Sequence, residues 1–276
     1  MKLIICSLGL ALAASSADAA LLGFWKQDEP VGDLIDSTGG HPPGTPTGIL
    51  VYGQPGVSNG SYGAISVTAA IGTAIEYGPS NEDDFFLIDT DNNNPVMNLD
   101  TTGAFTVMGW VNPSQNDAAR TYRFLSTGSA AGGDRGWGIG LRLPNTAGTG
   151  STLRFTNYGV LDNDSSAFDV VFGAWIHLAA TYNNGLISYF LNGNALDSDV
   201  SSFGNELAPA RLIVGARLGG NDVDQMNGLI DGVQVHDQIL TVEEIRAAAI
   251  NSVSIPEPSS AILGLLGGLA LLRRRR

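Results

Sequence analysis

Two Asn-Gly pairs, at 184–185 and 192–193, constrain the fold more than any other feature of this chain. Asn-Gly supplies the positive φ angles that a two-residue hairpin turn needs. The segment between the pairs, 186–191, has the length of a short strand. The segment 175–182, which precedes them, carries apolar residues on both faces, as buried strands do. The sequence therefore predicts a three-stranded antiparallel meander at this position.

Short apolar segments separated by turn-forming residues recur along the rest of the chain. Gly, Asn, Asp, Ser and Thr are abundant between them, which is typical of a β protein with many turns. Further strands are predicted at 105–111, 122–126, 136–143, 153–158, 212–215 and 229–235. No long amphipathic pattern interrupts these strands, so the sequence predicts an all-β sandwich of two antiparallel sheets.

One short helix is predicted near the end of this region, at 242–250. Thr241 and Glu244 have the spacing of a capping box, in which each side chain accepts a hydrogen bond from the other residue's backbone N–H. Leu240 and Ile245 are placed to form the hydrophobic staple that accompanies such a helix start.

The N-terminus has the features of a secretory signal peptide. Residues 3–14 are apolar and are followed by a small-x-small sequence that ends at Ala19. This pattern predicts cleavage after Ala19, with cleavage after Ala20 as the alternative. Cys6, the single cysteine, lies within the segment that is expected to be removed, 1–19. We therefore expect an exported domain that is stabilised without disulfides.

The C-terminus combines a Pro-Glu-Pro motif at 256–258, an apolar run at 261–272 and four terminal arginines. The two prolines end any preceding regular structure. As a helix, the apolar run would span about 18 Å, which is less than the roughly 30 Å hydrocarbon core of a bilayer. It therefore suits transient insertion, with the arginines on the cytoplasmic side. A short buried C-terminal helix is the alternative.

These three features, in this order, resemble a PEP-CTERM sorting signal. The resemblance implies recognition by an exosortase-type processing enzyme, transient insertion into the inner membrane, and delivery to the cell surface or extracellular matrix of a Gram-negative bacterium. Residues 251–258 would be the linker that contains the motif, and residues 259–276 the hydrophobic segment and basic tail. The sorting residues are Pro256, Glu257, Pro258, Arg273, Arg274, Arg275 and Arg276.

The charge of the chain is strongly acidic, with 14 basic and 27 acidic residues and a formal net charge of −13. Removing Lys2 and the four terminal arginines leaves nine basic residues, and removing Asp18 and Glu257 leaves 25 acidic ones, so the exported domain carries about −16. Such a surface repels nucleic acid and anionic lipid and attracts divalent cations.

Seven motifs in the body of the chain resemble, in order, the LamG-like, concanavalin A-like jelly-roll domain. They lie at 24–29 (FWKQDE), 81–88 (NEDDFFLI), 105–111 (FTVMGWV), 175–179 (WIHLA), 189–193 (YFLNG), 227–233 (NGLIDGV) and 240–245 (LTVEEI). The resemblance covers residues 20–250 and implies a jelly-roll sandwich of a kind that hosts both lectins and glycosidases, so the site must decide the function. The segment 39–75 is longer and richer in Gly and Pro than the family pattern.

The resemblance also implies a structural calcium ion where the first and last strands meet, held by Asp28 and Asp231. Asp231 lies on a predicted strand, where a buried carboxylate needs either a metal or a hydrogen-bond network. Both alternatives stay open. The acidic loops at 89–100 and 221–224 are interpreted as solvated loops.

Sugar binding would require exposed aromatic side chains beside polar groups. Trp25, Trp110 and Trp175 fall in predicted core strands and are interpreted as packing residues. Trp137 and Tyr158 remain as candidate ligand-binding residues.

We expect no catalytic residues. Jelly-roll glycosidases commonly place their carboxylates at alternate positions of one strand, as Glu-x-Asp-x-Glu or a near variant, and we find no such run. His177 is interpreted as a structural histidine of its strand, and no partners for a nucleophilic triad stand out.

The sequence thus predicts an exported, exosortase-sorted protein with a non-catalytic module that binds polysaccharide or a surface protein, with calcium as a candidate structural ion. Two alternatives remain: a diverged polysaccharide-cleaving enzyme on the same fold, and a purely structural coat or biofilm-matrix protein.

Overall fold

The computed structural model describes residues 20–70, 72–78, 84–88, 103–115, 119–128, 136–200, 211–217 and 224–253. The signal peptide, Ala19 and the sorting residues lie outside these ranges and stay predictions. Ala20 is exposed, and its backbone N–H donates to Asp237 Oδ1 at 2.8 Å. Within the described ranges, no helix has the length and apolarity needed to cross a bilayer.

Two antiparallel sheets form the body of the domain, as the sequence predicted. The first contains β1 (Leu21–Trp25), β3 (Val51–Pro55), β6 (Thr73–Tyr77), β8 (Ala104–Pro113), β13 (Ile176–Asn183), β14 (Leu186–Leu191), β15 (Asn194–Val200) and β17 (Gly228–His236). Its strand order is β15-β14-β13-β8-β17-β6-β3, and β1 pairs with β17.

The second sheet contains β2 (Thr45–Thr47), β7 (Phe85–Leu87), β9 (Arg120–Gly128), β10 (Trp137–Leu143), β11 (Thr152–Asn157), β12 (Leu161–Asp164) and β16 (Arg211–Val214). Its strand order is β12-β11-β10-β9-β16-β7-β2. A separate hairpin joins β4 (Gly60–Tyr62) to β5 (Ile65–Val67), and the helix α1 (Val242–Ser252) follows β17.

The predicted meander is confirmed as β13-β14-β15. Asn184 and Asn192 adopt φ angles of 46° and 51°, and the glycines that follow them are also in the positive region, at 100° and 72°. Both central residues of each turn therefore have the backbone conformation that Asn-Gly supplies most readily. The turns fix the register of the pairing, for example Leu178 opposite Leu191.

The main core lies between the two sheets. Its largest fully buried side chains include Trp25, Tyr77, Phe86, Phe105, Tyr122, Phe124, Trp137 and Phe155. Aromatic rings of this size bury large apolar areas, which stabilise a domain that has no disulfides.

The helix α1 covers the outer face of the first sheet. Its N-cap is Thr241, and the predicted capping box with Glu244 is present. Met108 and Trp110 of β8 point away from the main core and lie in clusters with residues of α1. Trp110 Nε1 donates to the carbonyl of Ala249 at 3.0 Å. The helix therefore buries the second face of β8, which explains the continuous apolar sequence of that strand.

Candidate functional site

Asp231 lies at an irregularity in β17, where the register with β8 shifts between Asp231 and Gln234. Its side chain is only 3% exposed, and Oδ2 accepts a hydrogen bond of 3.2 Å from the Val57 N–H. Burial raises the pKa of Asp231 well above its ordinary value, and the negative charge of Asp28 adds to the rise. A carboxylate in this position must be either protonated or neutralised by a cation.

Asp28 is near enough to Asp231 for its charge to raise the pKa of Asp231. The chain reaches Asp28 directly after β1, and its Oδ1 accepts a hydrogen bond of 2.6 Å from the Thr73 N–H. Burial also raises the pKa of Asp28, although its side chain is less enclosed than that of Asp231. Residues more than 200 positions apart in the sequence thus form a pair of acidic groups.

Two glycines allow the backbone to pack closely against this pair. A Cβ atom at Gly56 would lie 2.9 Å from Asp231 Oδ2, and 3.1 and 3.2 Å from the carbonyl oxygens of Gly72 and Thr73. A Cβ atom at Gly72 would lie 2.5 Å from Asp28 Oδ1. The Asp231 carboxylate and the carbonyl oxygens of Gly72 and Thr73 therefore all lie close to the backbone at Gly56. This is the type of donor set that calcium takes, with water completing its coordination.

The described ranges contain no group of three or more His, Cys, Asp or Glu side chains that could hold a metal ion. A cation at Asp28 and Asp231 would therefore depend on the backbone carbonyls as well as on the two carboxylates. The acidic loop 89–100 and most of the loop 221–224 lie outside the described residues.

The structure buries both aromatic residues that we expected to contact a sugar. Trp137 is 1% exposed and stacks on Phe155, with ring centroids 5.5 Å apart and an interplanar angle of 12°. The expectation is corrected for Trp137: because alternate residues of β10 face the core, its ring belongs to the interior. Tyr158 is 2% exposed, and its ring lies against the guanidinium groups of Arg217, at 4.3 Å, and Arg123, at 5.6 Å.

The outer face of the second sheet carries rows of polar side chains that sequence reasoning missed. The register places Arg123 of β9 and Arg154 of β11 on either side of Gly140, and Asp164 of β12 opposite Arg154. Adjacent rows hold Thr121, Arg142 and Thr152 on one side, and Ser126, Gly138, Thr156 and Asp162 on the other.

Ion pairs and hydrogen bonds fix these rows. Arg154 contacts Asp164 through Nε, at 2.8 Å, and Nη2, at 2.6 Å, and contacts Asp162 through Nη1 at 2.6 Å. Arg123 is 2% exposed, and its Nη2 donates to Thr156 Oγ1 at 2.5 Å. Thr156 Oγ1 in turn donates to Asp162 Oδ1 at 2.6 Å. Burial raises the pKa of Asp164, but the hydrogen bonds and charge of Arg154 outweigh it and hold that pKa below its ordinary value.

Two pockets open on this face. The first has a volume of about 250 Å³ and is lined by Ala119, Arg120, Thr121, Arg142, Leu143, Arg154 and Asp224. The second has a volume of about 290 Å³ and is lined by Thr156, Asn157, Tyr158, Gly159, Val160, Leu161, Asp162 and Arg217. We call this surface the arginine face, defined by Arg120, Arg123, Arg142, Arg154 and Arg217.

Residues 87–246 match the concanavalin A-like lectin/glucanases superfamily. The chain belongs to this superfamily. Its fold is shared by domain 4 of AbnA, an extracellular arabinanase from Geobacillus stearothermophilus in complex with arabinotriose. That likeness has a TM-score of 0.53 and 20% identity, and it covers 84% of this chain and 98% of that one.

Two further solved structures share the fold. The binding domain of botulinum neurotoxin serotype D/C matches with a TM-score of 0.54 and 14% identity, over 85% of this chain and 52% of that one. A Trypanosoma rangeli sialidase matches with a TM-score of 0.51 and 13% identity, over 82% of this chain and 32% of that one. Because the superfamily includes both lectins and glucanases, the arginine face must carry the functional argument.

A sequence signal for the arginine face does exist. In β11, Thr152, Arg154 and Thr156 alternate with Leu153 and Phe155. This alternation predicts a strand with one polar face. It does not say which strands will stand beside β11, and that arrangement is what brings five arginines together.

Proposed function

We propose that this protein is an exported, non-catalytic module that binds extracellular polysaccharide. The observation that carries the proposal is the arginine face, where two adjacent pockets of about 250 and 290 Å³ are lined by hydrogen-bonding side chains. Side chains that are already held in place by hydrogen bonds lose little conformational freedom when a ligand binds. They are therefore suited to the recognition of sugar hydroxyls. Domain 4 of AbnA, which has the same fold and was solved with arabinotriose, supports a glycan as ligand.

The aspartates near the two pockets are paired with arginines, which supports a binding function rather than glycoside hydrolysis. Asp162 and Asp164 occupy alternate positions of β12, but both are bound to Arg154. Glycoside hydrolysis needs one carboxyl group that donates a proton, whereas an adjacent arginine favours the charged carboxylate. Asp224, which lines the first pocket, is paired with Arg217 at 3.3 Å.

A structural calcium ion at Asp28 and Asp231 forms part of the proposal. It is supported by the electrostatic interaction of Asp28 with Asp231, and by the carbonyl oxygens of Gly72 and Thr73 that lie beside Asp231 at Gly56. An ion there would neutralise the buried carboxylate and tie β17 to the segments that precede β4 and begin β6. The ion would lie on the side of the first sheet, and its role would be to stabilise the domain.

Export and sorting complete the proposal. The sequence features at the two ends support secretion, transient insertion of the C-terminal segment into the inner membrane, processing by an exosortase-type enzyme, and residence at the cell surface or in the extracellular matrix of a Gram-negative bacterium.

The test is binding of the purified protein to a panel of polysaccharides, including the exopolymer of its own host, in calcium and in chelator. We expect saturable binding without release of reducing sugar. Release that is lost in an Asp164→Asn variant would instead identify an enzyme. Binding to no polysaccharide in either condition would overturn the proposal in favour of a structural coat protein.

A further inference from the structure

The positive charges of this acidic domain are concentrated on one surface. Residues 20–250 contain nine basic residues, and five of them form the arginine face. The three aspartates described there, Asp162, Asp164 and Asp224, leave a local net charge of about +2, in a domain that carries about −16. At physiological ionic strength charges beyond about 8 Å are largely screened, so a ligand on this surface responds mainly to the arginines.

The first pocket contains a guanidinium group with unused donors. Three arginines line it, and one of them, Arg154, has its donors directed at Asp162 and Asp164. Arg142 forms no hydrogen bond or ion pair with a described residue, and its strand neighbours across β9 and β11 are Thr121 and Thr152. An arginine in this state suits a planar anionic group, because guanidinium binds carboxylate through two parallel hydrogen bonds.

The second pocket has a different character. Val160 and Leu161 on its rim are 49% and 46% exposed, which provides apolar surface of the kind that packs against the C–H face of a sugar ring. Asn157, which also lines it, is 1% exposed, and both atoms of its side-chain amide lack a hydrogen-bond partner among the described residues. Its burial keeps this amide out of reach of a ligand. The accessible polar side chains of this pocket are those of Asp162 and Arg217, which are 45% and 24% exposed.

Two ion pairs separate the pockets. Arg154 lines the first pocket and its partner Asp162 lines the second. Arg217 lines the second pocket and its partner Asp224 lines the first. The pockets are therefore adjacent and share one wall, so neighbouring units of one polymer can occupy them together.

We propose that the arginine face recognises an acidic polysaccharide through a pair of neighbouring sugars: a uronic acid whose carboxylate is bound by Arg142 in the first pocket, and an uncharged sugar in the second. This rests on the proposed glycan-binding function and names its ligand class. Each pocket is smaller than a typical drug-sized site, which agrees with one sugar unit in each.

The test compares hyaluronan oligosaccharides, in which glucuronate alternates with an uncharged N-acetyl sugar, with the same oligosaccharides after reduction of their carboxylates. Affinities are measured by calorimetry on the purified protein. We expect the acidic form to bind about tenfold more tightly, since a hydrogen-bonded charged group contributes roughly that factor. The variant Arg142→Gln should remove most of this preference.

Two further variants locate the effect. Arg246→Gln removes the same charge from α1, on the outer side of the first sheet, and should retain the preference for the acidic form. Val160→Asp adds a negative charge to an exposed position on the rim of the second pocket and should weaken binding of the acidic form more than that of the reduced form.

The outcomes separate the two proposals. Equal binding of acidic and reduced oligosaccharides, or an unchanged preference in Arg142→Gln, would overturn this inference while the glycan-binding function stands. Binding of neither form, together with no binding to the polysaccharide panel, would overturn both.

Discussion

Asp231 links the stability of the fold to the presence of a cation. Its carboxylate is enclosed, receives backbone hydrogen bonds from Val57 and Gly232, and lies near the negative charge of Asp28. Without a cation, the folded domain carries either the cost of burying this charge or the cost of keeping the carboxyl group protonated. Calcium would remove that cost, so its effect should be visible in the stability of the domain.

We predict that chelator lowers the melting temperature of the wild-type protein and leaves that of Asp231→Ala unchanged. Calcium at a hundredfold excess over its Kd would add about 2.7 kcal/mol to the folded wild type. In chelator the variant should be at least as stable as the wild type, because it has no buried carboxylate. Asp33→Ala, at an exposed position, is the control and should keep the response to calcium. A wild-type melt that is unaffected by chelator would remove the metal from the proposal.

His177 makes the stability of the domain depend on pH. Its side chain is fully buried against Trp110, with ring centroids 5.0 Å apart, and neither ring nitrogen has a hydrogen-bond partner among the described residues. Burial lowers the pKa of His177 from 6.5 to about 3. The unfolded chain therefore binds a proton that the folded chain excludes between these two values, so stability falls as the pH falls through that range.

We predict that His177→Leu reduces the acid sensitivity of the domain. Between pH 7 and pH 5, exclusion of this proton costs the wild type about 2 kcal/mol. The variant should lack that loss, whatever its stability at pH 7. Urea unfolding of both proteins at the two pH values measures the difference. His236, whose pKa burial lowers to about 4, contributes equally in both proteins. Equal losses in the two proteins would show that His177 is protonated in the folded state.

The helix α1 acts as a cover for β8. It begins at a capping box and ends at Ser252, and it carries Ile245 and Ala249 onto the outer face of the first sheet. Because the helix is short, its packing and its cap supply most of its stability.

We predict that Thr241→Ala destabilises the domain by about 1 kcal/mol, the usual effect of losing an N-cap side chain. Glu243→Ala changes an exposed residue in the same turn, whose only described ion pair is a long one of 3.7 Å with Arg246. This change should cost only a few tenths of a kcal/mol. The midpoints of urea unfolding provide the comparison. Equal effects would mean that the cap contributes nothing beyond general helix propensity.

Elements with a local chemical signal were predictable from the sequence. The Asn-Gly turns, the capping box and the apolar segments of β8 to β11 identified strands and helix correctly, although α1 runs two residues further than its expected end at Ile250. The Gly- and Pro-rich segment 39–75 was not resolved into elements, because β2 to β5 are only three to five residues long. In addition, β2 and β3 are defined by pairing with strands further along the chain, β7 and β6.

The residues of the candidate sites were likewise predictable only where a local sequence pattern marked them. The pairing of Asp28 with Asp231 required the family resemblance, since no local pattern connects them. Trp137 was expected at the surface because a glycine-rich loop precedes it, yet its position on β10 directs it into the core. The arginine face depends on four strands that become neighbours only in the folded sheet.

The proposed export and placement of the domain would depend on the two ends of the chain. Arginines held on the cytoplasmic side would orient the C-terminal segment for processing, and the acidic domain of about −16 would remain on the other side.

We predict that deletion of residues 273–276 prevents delivery of the protein to the cell surface. Cell fractionation and surface labelling of the deletion variant, beside the wild type, measure the outcome. Replacement of the four arginines by lysines preserves the charge and should preserve delivery, if charge is what the tail contributes. Normal surface delivery of the deletion variant would refute the sorting role of the tail.

The strand order decides which strands lie at the sheet edges, and this affects how copies of the domain behave when they are packed closely together. In each sheet, one edge strand carries two aspartates and the opposite edge strand carries a proline. These residues are Asp197 and Asp199 in β15, Asp162 and Asp164 in β12, Pro55 in β3 and Pro46 in β2. The carboxylates of β15 repel an approaching copy, those of β12 are held by Arg154, and proline offers no N–H for pairing. Densely packed copies in a matrix would therefore resist joining their sheets into fibrils, and the layer would stay an assembly of separate domains.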